Sequence, residues 1–137
     1  MKLQPVRPEG SNVFTACGEG YVDVNAVRYG RAIVVLPDRL IEAWTVADAG
    51  SLALADFEFL AALDAEIVLL GTGASPRFPP PSLLQPLMRA RKGFEAMNTS
   101  AVCRTYNVLA SEGRRVAAAL VSEDSSRGQR FERTEDR

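Results

Sequence analysis

Two segments of the chain carry residues that could bind an anion, and the first is the turn Gly71-Thr72-Gly73. It follows an apolar run, and glycine-rich turns in that position cradle phosphate groups in several protein classes. The dinucleotide-binding motif needs a further glycine at position 76, and the phosphate-binding loop needs glycine there followed by lysine. The chain has Pro76 and Arg77 instead, so both specific motifs fail. The alternative is a tight strand exit whose glycines supply unusual dihedral angles.

The second segment is Asn98-Thr99, which is expected to open a helix. Free amides at a helix N-terminus attract anions, and ligands of parallel sheets bind at the carboxyl ends of the strands. If the preceding strands are neighbours, Gly71–Gly73 and Asn98–Thr99 line one crevice. The alternative is that both polar residues only cap the helix.

The predicted helix adds three further candidates to this crevice, Arg104, Tyr106 and Asn107. Arg104 could hold a carboxylate or another anion with both arms of its guanidinium, and a structural ion pair is the alternative. Tyr106 lies on a helical stripe that is most simply explained by core contacts. Cys103 is near the helix start but has no histidine to activate it, so we expect an inert, packed thiol.

Composition excludes several classes of function. The 137 residues contain no histidine, which removes the usual general base and metal ligand, and only two cysteines, Cys17 and Cys103. We therefore expect neither a metal nor a cofactor. The net charge of −1 argues against a nucleic-acid partner. No run approaches the roughly 20 apolar residues that span a bilayer, and no secretory signal opens the chain, so we expect no direct membrane insertion, a cytoplasmic location and reduced thiols.

Charge is distributed unevenly along the sequence. Residues 38–66 hold seven acidic residues and one arginine, whereas residues 77–92 hold four basic residues and no acidic one. Two solvated faces would explain this, and so would a polar docking surface for a protein partner or pairing between subunits of a homo-oligomer.

The pattern of apolar residues and turn signals predicts the elements that would position these side chains. Predicted strands cover Val13–Cys17, Tyr21–Val24, Ala32–Leu36, Ile41–Val46, Ile67–Leu70, Phe94–Met97 and Arg115–Val121. Predicted helices cover Ser51–Leu63, about Leu83 to Gly93, and Asn98 or Thr99 to about Glu112. After Glu66 strands and helices alternate through short loops, which favours parallel strands with helical crossovers. In the first half, Gly18-Glu19-Gly20 between two predicted strands indicates a glycine-rich hairpin and so antiparallel strands. The prediction is therefore an α/β domain with a mixed sheet covered by helices.

The ends of the chain differ from this predicted domain, which covers residues 13–121. Residues 1–12 are polar and contain two prolines, and we expect a flexible segment. Residues 122–137 contain nine charged residues among sixteen, which predicts a disordered tail.

Several stretches of the second half resemble one protein family. They are Val68–Gly73, Arg77-Phe78, Met97-Asn98-Thr99, Cys103–Leu109 and Glu112–Leu120. Together they resemble the MTH-type domain family, small proteins of unknown function that include the mitochondrial complex I assembly factor 3 and a vertebrate adipogenesis-associated protein. The resemblance covers about residues 13–121 and implies a three-layer fold around a central mixed sheet. It implies no assigned catalytic residues, and this chain has Asn98 where the family typically has aspartate.

Two hypotheses for function follow. The first is a non-catalytic interaction or assembly-accessory factor with an unidentified protein partner. By resemblance, its target would be a membrane respiratory complex. The second is a binder of a small molecule or anion, or an enzyme acting on an unknown metabolite, at the crevice of Gly71–Gly73 and Asn98–Thr99.

Overall fold

The computed structural model describes residues 10–44, 46 and 48–122 of the chain. Its strands are β1 (Phe14–Gly18), β2 (Tyr21–Val24), β3 (Val27–Tyr29), β4 (Ile33–Leu36), β5 (Arg39–Ile41), β6 (Ile67–Gly71), β7 (Gly93–Met97) and β8 (Val116–Leu120). Its α-helices are α1 (Leu54–Ala61), α2 (Gln85–Arg89) and α3 (Thr99–Ser111), and short 3₁₀ turns cover Ala49–Ser51 and Pro81–Leu84. Most of the predicted flexible N-terminus and charged tail, residues 1–9 and 123–137, lies outside the described residues.

The central sheet has five strands in the order β5-β4-β8-β6-β7. Strand β6 runs parallel to both β7 and β8, while β4 is antiparallel to β5 and β8. Strands β1, β2 and β3 form a separate antiparallel sheet. The predicted α/β domain with a mixed central sheet, N-terminal antiparallel strands and a C-terminal βαβαβ unit is therefore confirmed.

Two hydrophobic clusters form on opposite faces of the central sheet because its strands are apolar at successive positions. On β4, Val34 and Leu36 face the cluster that contains Phe57 of α1, whereas Ile33 and Val35 face the other cluster. That second cluster includes side chains of α3 and of the N-terminal sheet. The layers are thus α1 and α2, then the central sheet, then α3 together with strands β1–β3.

The strand predicted over Ile41–Val46 is wrong. The observed strand β5 starts at Arg39, directly after a tight turn, and ends at Ile41. The chain then leaves the sheet edge, and the indole of Trp44 packs into the core with 6% of its surface exposed. Strand β3 was not predicted, because only three residues form it and two of them are exposed.

Helix α3 agrees with its prediction, because the side chain of Asn98 caps it and Gly113 follows its end in the left-handed conformation. The other two helices are shorter than predicted. Helix α1 starts at Leu54, after the 3₁₀ turn at Ala49–Ser51, and α2 covers only Gln85–Arg89. Three consecutive prolines precede α2, and a fourth lies in its first turn, which leaves few residues for regular helix.

Candidate functional site

The two segments predicted to line a crevice are neighbours in the structure. Strands β6 and β7 pair in parallel with Gly71 opposite Met97, so both segments leave the sheet at the same edge. The amide of Thr72 donates to the carbonyl oxygen of Met97 at 3.2 Å, which continues the ladder one residue beyond the strands. The adjacency that the crevice requires is therefore present.

Reciprocal hydrogen bonds join the two segments. The amide of Gly73 donates to Oγ1 of Thr99 at 3.0 Å, and the amide of Thr99 donates to the carbonyl oxygen of Gly73 at 2.9 Å. The side chain of Asn98 accepts from the amide of Ala101 at 2.8 Å. Three amides that could have faced an anion are thus engaged within the protein, and an incoming ligand would have to use side chains or other amides.

Gly71 allows close packing where β6 meets the start of α3. A Cβ atom on Gly71 would lie 2.5 Å from a methyl carbon of Leu120 and 3.3 Å from Cα of Thr99. The hydroxyl of Thr72 donates to the carbonyl oxygen of Ser75 and accepts from the amide of Arg77, which folds the following loop back on itself. The glycine and threonine of the predicted phosphate turn therefore serve close packing and loop closure.

Among the helical candidates, Arg104 bonds within the first turn of α3, while Tyr106 and Asn107 bond to the N-terminal part of the chain. Arg104 is exposed, and its Nη1 donates to Oγ of Ser100 in the first turn of α3 at 2.7 Å. The hydroxyl of Tyr106 donates to the carbonyl oxygen of Asn12 at 2.9 Å. Burial raises the pKa of that hydroxyl, so the tyrosine stays protonated and acts as a donor.

Asn107 binds strand β1. Its Oδ1 accepts from the amide of Phe14 at 3.0 Å, and its Nδ2 donates to the carbonyl oxygen of the same residue at 2.8 Å. The ring of Phe14 also meets the ring of Tyr106 edge to face, with centroids 5.1 Å apart. These two helical residues therefore attach the N-terminal sheet to α3 and do not line the crevice.

A shallow cleft, open to solvent, is lined on one side by Thr99 at the start of α3, and sequence reasoning missed it. The N-terminal sheet supplies most of the other side, and β8 with the residues after it supplies the rest: Gly18, Gly20, Tyr21, Tyr29, Arg31 and Leu120–Ser122. The glycine-rich hairpin was visible in the sequence, but no local pattern pairs it with a helix start far along the chain.

Two neighbours fix the ring of Tyr21, which lines the cleft. A Cβ on Gly18 would lie 2.4 Å from this ring, so the ring can take its position only because residue 18 is glycine. The guanidinium of Arg28 lies over the ring, 3.8 Å from its centroid. A hydrogen bond from Arg28 to Asp23 raises the pKa of the arginine and holds it in place. The cleft is thus lined by a fixed tyrosine ring, one face of which Arg28 covers, and by Arg31.

Two observations bear on the chemistry that the described residues can perform. Within the described parts of the chain, no three Cys, Asp or Glu side chains converge in a way that could hold a metal ion. Burial raises the pKa of the Cys103 thiol, which disfavours its thiolate. The side chains that line the cleft include Thr99, Arg31 and two tyrosines, which can donate hydrogen bonds or attract an anion.

The fold and this site define an α/β domain. Its N-terminal antiparallel sheet packs with helix α3 against one face of a mixed sheet. Residues 14–121 match the family model described as "Protein of unknown function (DUF498/DUF598)", and the chain belongs to that family. A solved structure from Bordetella pertussis, described as a Mth938-like domain, has a TM-score of 0.74 and 32% identity, covering 90% of this chain and 93% of that one. The resemblance to the MTH-type domain family is thereby confirmed.

Two curated relatives carry informative names. The "13 kDa major membrane protein" of Francisella tularensis is 25% identical over 122 residues, covering 88% of this chain and 99% of that protein. The mouse "NADH dehydrogenase (ubiquinone) 1 alpha subcomplex assembly factor 3" is 30% identical over 113 residues. The match covers 81% of this chain but only 56% of the mouse protein. No helix in the described residues is long and apolar enough to cross a membrane.

Proposed function

We propose that this chain is a non-catalytic accessory protein that binds a protein partner through the crossover between β6 and β7. The proposal rests on the exposure of large apolar side chains in this crossover. Among the described residues, the two most exposed large hydrophobic side chains are Phe78, at 74%, and Met88, at 67%, and both belong to this crossover. Exposed apolar side chains in one short segment favour a protein-binding surface.

The charge of the same crossover indicates the chemistry of the partner. Arg77, Arg89 and Arg91 are exposed, and residues 72–92 contain no acidic side chain. The remaining cation, Lys92, is used inside the domain, where its Nζ donates to the carbonyl oxygens of Leu63 and Ala65. A segment that carries apolar side chains flanked by carboxylates would complement this surface. We call residues 77–91 the basic crossover surface.

The mouse relative supports an accessory role, since its name describes it as an assembly factor for a part of NADH dehydrogenase. By this likeness, the partner proposed for the present chain is a subunit or assembly intermediate of a membrane-bound respiratory complex. The accessory protein would meet its partner from the cytoplasmic side, without inserting into the bilayer.

Affinity capture with matched variants tests the proposal. Tagged wild-type protein, Phe78→Glu, Met88→Glu and Val108→Glu are used on a native lysate that includes solubilised membranes. Val108 is a suitable control because it is 55% exposed but lies on α3, across the sheet. We expect one partner to be captured by the wild type and the control, and at least tenfold less by both crossover variants.

The captured protein must also contain an acidic, apolar segment that binds as a synthetic peptide and is released by salt. Equal capture by all four proteins, or no reproducible partner, would refute the proposal. Association only between copies of this chain, seen by light scattering, would replace the accessory role with self-assembly.

A second candidate function is the binding of a small anion or metabolite at the edge where Gly71–Gly73 meets Asn98–Thr99. The adjoining cleft favours it, because Thr99, Arg31 and a fixed aromatic wall lie together there. A thermal-shift screen with inorganic phosphate, nucleotides and small carboxylates is the test. A shift that disappears in Arg31→Ala and Arg104→Ala but survives in Thr99→Ser supports this function. No shift, or one that survives both arginine variants, removes it.

A further inference from the structure

Strand β1 contains a bulge that changes which of its side chains face the core. The register of its pairing with β2 shifts between Phe14 and Ala16. As a result Phe14 and Cys17, three residues apart, are both buried, while the two residues between them are only half-buried. A regular strand would place residues 14 and 17 on opposite faces. The bulge therefore turns the Cys17 thiol toward α3.

Helix α3 presents Cys103 to that thiol. Asn107 holds the backbone of Phe14, and Cys103 lies one turn earlier on the helix, beside the later part of β1. Both cysteines belong to the same core cluster, with 4% of Cys17 and none of Cys103 exposed. Burial first, and the neighbouring Cys17 side chain second, raise the pKa of the Cys103 thiol. Two cysteines distant in sequence thus form a thiol pair in the core.

We propose that Cys17 and Cys103 are an oxidation site that forms an intramolecular disulfide with a small peroxide as oxidant. Hydrogen peroxide converts the thiol of Cys17, the more exposed of the two, into a sulfenic acid and releases one water. The sulfur of Cys103 then attacks the sulfenic sulfur: the S–S bond forms, the S–O bond breaks, and the hydroxyl group leaves with the Cys103 proton as a second water. The two thiols together lose two electrons and two protons, and the peroxide is reduced to water.

The bond would fasten β1 to α3 at the end nearest the cleft, because Gly18 directly follows Cys17 and lines the cleft. The buried, weakly acidic Cys103 thiol is shielded from bulky disulfides and alkylating reagents. Oxidation in the native state is therefore restricted to small oxidants. A reversible cross-link would replace the expectation of an inert Cys103 thiol.

Mass spectrometry of the full chain tests the proposal. The native protein is treated with hydrogen peroxide, quenched with catalase, denatured and alkylated. We expect no alkylation and the loss of two hydrogen atoms from the monomer, and two alkylations after dithiothreitol. The thermal midpoint of the oxidised protein should rise by about 10 °C. In the control Cys17→Ala, Cys103 should be alkylated once and the peroxide-dependent rise should vanish.

Two alkylatable thiols after oxidation, a sulfinic acid on Cys17, or a disulfide between two chains would each overturn the proposal. The wild-type mass measurement decides the question even if the Cys17→Ala variant does not fold. Treatment of the wild type in denaturant provides a further comparison. There the pairing should be slower or intermolecular, because the fold no longer holds the thiols together.

Discussion

Replacing Asn107 with alanine should be among the most damaging single changes on α3. The side chain makes two hydrogen bonds to the backbone of Phe14, at 3.0 and 2.8 Å, and Phe14 is fully buried. Each such bond contributes about 1 kcal/mol net, and an abandoned buried backbone group costs about 1–3 kcal/mol. Because water reaches part of the opened site, we expect the free energy of unfolding to fall by about 2–4 kcal/mol. This is a large share of the roughly 5–15 kcal/mol by which a typical domain is stable.

Urea unfolding followed by circular dichroism measures this loss, and Val108→Ala is the matched control. Val108 is the next residue of the same helix, takes the same replacement and is 55% exposed, so its change should stay within about 0.5 kcal/mol. Hydrogen exchange gives a second readout, since the amide of Phe14 should lose protection only in Asn107→Ala. Equal unfolding midpoints for the two variants would show that α3 does not hold β1 through this side chain.

Three further predictions concern the edges of the central sheet. Gly71→Ala should cost about 1–3 kcal/mol in thermal unfolding, because its Cβ would lie 2.5 Å from a β8 leucine methyl, whereas Gly93→Ala, whose nearest neighbour is at 3.7 Å, should unfold like the wild type. Lys92→Met should cost about 1–3 kcal/mol in urea unfolding, because it removes the Lys92 donor from the carbonyl oxygen of Ala65 and leaves that of Leu63 with the Ala65 amide alone; a neutral result would show that solvent replaces the lysine. The hydrogen bond from Arg114 lowers the pKa of the Glu66 carboxyl below its ordinary value of 4.5. The ionised carboxylate therefore stabilises the fold above pH 4.5, and this stabilisation is lost as the pH falls through the lowered pKa. Glu66→Gln should therefore flatten the acid end of the stability profile in urea titrations, and an unchanged profile would contradict this.

The local pattern of apolar residues, glycines and capping residues was sufficient to predict most of the helices and strands. The helix capped by Asn98, the hairpin before Tyr21 and the buried strand at Ile67–Leu70 all depend on neighbours close in sequence: a capping side chain, a glycine turn and an apolar run. The alternation after Glu66 was also sufficient to predict parallel strands, because short crossovers that contain helices leave little other choice. The same reasoning failed at Ile41–Val46, where Trp44 fills the core from outside the sheet.

The sequence by itself therefore determined most of the helices and strands, the parallel pairing of the strands after Glu66, and the absence of any chemistry that needs histidine. Only the tertiary structure decided what the polar residues of α3 do. It directed Asn107 to the backbone of a strand some ninety positions earlier, and it set Cys17 beside Cys103 through a bulge that no local pattern revealed. The physical reason is that burial and hydrogen bonding between distant segments depend on how two sheets and a helix pack together, and that packing is a property of the whole domain.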